Sequence, residues 1–75
     1  MIESLVLIEG RDVDRETLRG LSLQNAKQLV IGSAPGIGTI LHIAATSSAD
    51  LGKALLDFAQ VANVKSIVTL MVRNA

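Results

Sequence analysis

The run of residues 47–73, SSADLGKALLDFAQVANVKSIVTLMVR, constrains the fold more than any other stretch. Ser47 stands three residues before Asp50, a spacing that suits a capping box or a dipole-matched first helical turn. Leu51, Ala54, Leu55, Phe58 and Val61 then recur at the spacing of a single buried stripe. Asn63 suits a left-handed stop, and residues 64–72 turn β-branched and alternating. A helix with one apolar stripe, succeeded at once by a strand, needs a sheet to pack on. The upstream chain must supply it.

Residues 1–9, MIESLVLIE, alternate, with Ile2, Ser4, Val6 and Ile8 on one face and Glu3, Leu5, Leu7 and Glu9 on the other. Residues 10–14 break this strand, and Asp12 or Asp14 can cap a helix starting just beyond them. Residues 15–23 predict about two helical turns with Leu18 and Leu21 inward, although Gly20 costs about 1 kcal/mol inside a helix. KQLVIG (27–32) and TILHIAAT (39–46) read as two further strands, joined by the Pro- and Gly-containing loop SAPGIG. The order strand, helix, strand, strand, helix, strand is that of an α+β, ferredoxin-like βαββαβ domain. It predicts one unit over residues 1–75, a four-stranded antiparallel sheet with both helices on one face.

If two helices cover one face, a monomer should keep the other face polar. This sheet does not. Leu5 and Leu7 in the first strand, Leu41 and Ile43 in the third, and Ile67 and Met71 in the last are taken as the second apolar face. Val64, Val68, Leu70 and Val72 are taken as facing the helices. Nearly half of the 75 residues are apolar, yet Phe58 is the only aromatic. A chain of this size buries only roughly 60% of its unfolded surface, so one small core is marginal. Sheet-to-sheet pairing of two copies, a dimeric α+β barrel, would bury the surplus.

Seven basic and seven acidic residues cancel, and no basic run or aromatic platform exists for nucleic acid. The apolar runs are far short of the roughly 20 residues that span a bilayer, and no basic region precedes the first of them. With no cysteine, the expectation is a cytoplasmic protein without disulfide, metal or other cofactor. Gly32, Gly36 and Gly38 fit neither the P-loop nor the dinucleotide spacing, and a strand comes after them, so they read as hairpin glycines. In that loop, glycines also allow a small ligand to approach the backbone. His42 lacks a second His or any Cys to converge with, and reads as a hydrogen-bonded structural side chain. Thr46, Ser47 and Ser48 read first as helix capping, with a pocket wall as the functional alternative. The charged residues between Glu9 and Glu16 read as a solvated turn and helix start. No acid–base pair emerges, so no enzyme is expected.

With these elements placed, the helix and strand of residues 48–73 resemble the C-terminal unit of the ligand-binding domain of leucine-responsive/AsnC-type (feast/famine) regulators, also called the RAM domain. MIESLVLIE resembles that domain's first strand and QLVIGSAPGIGTILHIAAT its central hairpin, without the family's DNA-binding helix-turn-helix. The resemblance implies a dimeric α+β barrel, assembly into higher rings, and a small effector such as an amino acid bound at junctions between dimers. It directs attention to Gly32, Ser33, Gly36 and Gly38, to Thr46, Ser47 and Ser48, and to Thr69 as ligand-binding residues. Gly32 can stand for the family's hairpin glycine, but residues 33–38 offer neither the aromatic nor the Asp that usually accompany it. The expected function is therefore a non-enzymatic small-molecule-binding and oligomerisation module with a regulatory role. The alternatives are a NapD-type chaperone binding a signal peptide on its sheet, or a purely structural oligomerisation domain.

Overall fold

A computed structural model describes residues 1–74 and contains the six elements in the expected order. They are β1 (Ile2–Glu9), α1 (Arg15–Arg19), β2 (Ala26–Ala34), β3 (Gly38–Ala45), α2 (Ser48–Ala59) and β4 (Ser66–Asn74). The sheet order is β2-β3-β1-β4, every neighbouring pair antiparallel. This is the ferredoxin-like α+β arrangement. The first and last strands pair with each other, and β2 and β4 are the free edges.

Local chemistry explains the boundaries. Ser47 caps α2, its hydroxyl accepting from the Asp50 amide (3.2 Å) and donating to the Asp50 carboxylate (2.9 Å). The helix ends at Ala59 with Gln60 as its cap, and Asn63 adopts φ 72° in the turn beyond. Asp14 caps α1, accepting from the Glu16 amide and the Thr17 hydroxyl. That helix has only five residues, shorter than the two turns expected over residues 15–23, with Gly20 as its cap. The Gln28 side chain donates through Nε2 to the Leu18 carbonyl at 2.6 Å and ties the end of α1 to β2. The β2–β3 hairpin closes through the Ile37 amide and the Ala34 carbonyl (2.9 Å), with Pro35 and then Gly36 (φ 77°) at its corner. Proline before a positive-φ glycine is the chemistry of a type II turn.

The core lies between the helices and one sheet face. Val6, Ile8, Leu18, Leu41, Ile43 and Phe58 are each at most 1% exposed, and Leu51, Ala54 and Ala45 complete the cluster. Ser4 faces the same way without cost, because its hydroxyl donates to the Met71 carbonyl at 2.8 Å.

Two expectations about faces need correction. Leu41 and Ile43 belong to this core rather than to the second face; the residues of β3 that turn away from the helices are Ile40 and His42. Ile67 also packs against the core, directly opposite Ile8. The cause in β4 is a bulge: Leu5 pairs with Met71 but Val6 pairs with Thr69, so Leu70 is left over. The inserted residue shifts the alternation halfway along the strand. Val68, taken as inward, thus lies opposite Leu7 on the open face, and Thr69 lies opposite Val6 on the helix side.

Candidate functional site

Two regions of the surface have the geometry of a site. The first is the open sheet face. Residues paired directly across an antiparallel ladder share a face, so the register gathers Leu5, Leu7, Ile40, His42, Val30, Val68 and Met71 on the side away from the helices. Val30, Val68 and Met71 are exposed. Leu5, Val30, Gly32, Ser33, Ile40 and His42 surround a hollow of about 340 Å³ on this face.

His42 sits at its edge with Nε2 sequestered from solvent and no hydrogen-bond partner. The Glu3 carboxylate lies 3.9 Å away, too far for a hydrogen bond, and is held by Arg73 through Nε and Nη2, both at 2.8 Å. The expected hydrogen bond to His42 is therefore missing at this nitrogen.

The second region is the end of the sheet under the β2–β3 hairpin. A hollow of about 650 Å³ opens there, lined by residues 9–13, 33–39, Arg15 and Lys65. Its frame is tightly locked. The Lys65 amide donates to the Glu9 carbonyl (2.8 Å), and the Asn63 side chain donates to the Asp12 carbonyl (3.0 Å). A methyl group at Gly10 would collide with the Asn63 carbonyl, and one at Gly38 with the Ile8 carbonyl, so both positions need glycine for close backbone approach. Asp12 and Asn63 both take left-handed φ, 61° and 72°, which their short polar side chains tolerate.

The residues proposed from sequence as a ligand site do not all converge. Ser33, Gly36 and Gly38 line the hairpin-end hollow, and Gly32 joins Ser33 at the face hollow. Thr46, Ser47 and Ser48 lie beyond the other end of β3, about 26 Å from Gly38 along a strand rising roughly 3.3 Å per residue. Thr46 bonds the Asn25 carbonyl through its hydroxyl, and Ser47 is consumed by its cap. Thr69 stands on the helix side of an edge strand. These four residues line neither hollow; Thr46 lines only a separate, smaller one of about 230 Å³ beside Asn25 and Lys27. Conversely, Arg11, Arg15 and Lys65 line the larger hollow, although their local sequence is that of a solvated turn and a strand start. They are separated by up to fifty-four residues, and nothing in local spacing announces their meeting.

No group of three His, Cys, Asp or Glu that could hold a metal ion occurs among the described residues, and no described helix is long and apolar enough to cross a membrane. Comparison with protein-family models, with curated proteins and with solved structures finds no match.

Proposed function

We propose that the chain is a non-enzymatic module that self-associates through its open sheet face and binds a small metabolite, in the manner its RAM-like sequence pattern implies. The observation that carries this reading is the apolar composition of the face opposite the helices. Sheets with one face on a core ordinarily present polar side chains on the other. Here Leu5, Leu7, Ile40, Val68 and Met71 occupy it, with Glu3 and Arg73 paired at one end.

Strands of eight and nine residues in a four-stranded sheet span about 20 by 25 Å, a footprint of about 500 Å². That is of the order of the roughly 800 Å² of accessible surface each partner contributes to a stable interface. A second copy stacked face to face is the occupant whose chemistry matches. The metabolite half of the reading rests on the locked hollow at the hairpin end. The regulatory role comes from the same resemblance, and a cytoplasmic location from the absence of cysteine.

The free edge of β4 favours one other reading. Leu70 and Val72 are more than half exposed there, and a strand edge of this kind accepts an extended peptide by strand addition. Peptide binding of the NapD type would use it. Sedimentation over a concentration series separates the two, read by interference because the chain has neither Trp nor Tyr. A persistent dimer or larger ring is the expected result. A monomer at micromolar concentration would overturn the stacking model and direct attention to peptides.

A further inference from the structure

The hairpin-end hollow contains more cationic chemistry than the fold uses. Arg11, Arg15 and Lys65 all line it, and among the described residues none of them makes an ion pair within 4.0 Å. They come from three separate stretches: the loop after β1, the first residue of α1 and the approach to β4. Like charges gathered at one site destabilise the protein unless something offsets them. Two carboxylates share the hollow. Glu9 accepts from the Ser66 hydroxyl at 2.7 Å, which commits one of its oxygens, and Asp12 is the other. Three cations against two carboxylates leave the site net positive. Ser33 and Thr39, paired across the hairpin, line it too.

We infer that this hollow is a binding site for a small phosphomonoester dianion. Two arginines offer fork-shaped donors that match phosphate oxygens bidentately, and a lysine adds a compact positive charge. Ser33 and Thr39 supply hydroxyl donors on the same wall. The frame is pre-set by the contacts of Gly10 and Gly38 with neighbouring carbonyls and by the bonds from Lys65 and Asn63. The ordering cost of binding therefore falls mainly on the cationic side chains. The volume, about 650 Å³, accommodates a small metabolite beyond its phosphate. This assignment names the ligand class for the small-molecule half of the proposed function and rests on it, but it does not depend on face stacking.

The test is a titration of the isotopically labelled chain with inorganic phosphate at low ionic strength, monitored by amide resonances. Malonate and chloride at matched ionic strength serve as competitors. Saturable shifts confined to residues 10–15, 33–39 and 65 are expected. Arg11→Gln with Arg15→Gln should weaken binding by at least about tenfold, since each removes a charge-assisted contact. Asp12→Asn should tighten it, because it deletes a repulsive carboxylate and Asn suits the left-handed φ. All three positions lie outside the core, so the variants should fold.

Shifts that never saturate, or that spread equally to Arg19, Lys27, Lys53 and Arg73, would overturn the site. Equal binding of malonate would overturn the phosphate class. Sedimentation of the same samples keeps the two readings apart. A monomer with saturable shifts refutes stacking alone, and a dimer without them refutes this site alone.

Discussion

Replacing Leu7 with Glu tests the open-face assembly most directly. Leu7 lies opposite Val68 and Ile40 on the face away from the helices, half-buried in the single copy and outside the core cluster. Leu7 is already mostly covered in the single copy, so completing its burial contributes about 0.5–1 kcal/mol, a third or less of the value for a wholly exposed leucine. In a two-fold dimer the change occurs twice, giving about 1–2 kcal/mol per dimer before any cost of burying the carboxylate. At 1.4 kcal/mol per decade, the dissociation constant should rise roughly 5- to 30-fold from this loss alone.

Sedimentation equilibrium of wild type and variant reads this shift. Circular dichroism melting checks that the variant still folds. Leu56→Glu is the matched control: Leu56 lies on α2 and is 65% exposed, so the same chemistry there should leave the mass unchanged. A folded Leu7→Glu protein that dimerises as tightly as wild type would refute the stacking argument.

Two further outcomes test the single copy. Phe58→Ala removes the only aromatic side chain, which is fully buried, and should cost about 3–5 kcal/mol. A domain of this length has roughly 4–11 kcal/mol in total, so urea unfolding should shift drastically. Ser47→Ala removes the α2 cap and should cost about 1 kcal/mol in the same assay, with no change in mass.

The order of the six elements is legible from alternation and turn chemistry alone. Gly10 and the Asp residues just after it break the first strand, Pro35 and Gly36 form the hairpin, and Ser47 with Asp50 starts the second helix. The faces are less legible, for identifiable reasons. In β3, Ile40, Leu41, His42 and Ile43 are nearly continuous in hydrophobicity, so alternation gives no sign of which pair points inward. In β4, one unpaired residue at Leu70 reverses the parity of the strand, and neither composition nor propensity marks where a bulge falls. The hairpin-end hollow is the least legible feature. Its cations lie at positions 11, 15 and 65, and only the pairing of β1 with β4 brings Lys65 beside Glu9.

That same pairing has a consequence for how the protein is made. The central strand β1 leaves the ribosome before the other five elements, whereas the strand that covers its outer edge is the last of the six to be synthesised. Throughout translation the nascent chain holds an apolar strand with one side open, waiting for a segment nearly sixty residues downstream. Interrupted or slowed synthesis would prolong this exposure, since an unpaired edge templates association with other chains. Late β1–β4 closure, with its high sequence separation, is also the step expected to slow folding most. Yield in cells should therefore depend on how quickly residues 66–74 are delivered, as well as on how stable the finished sheet is.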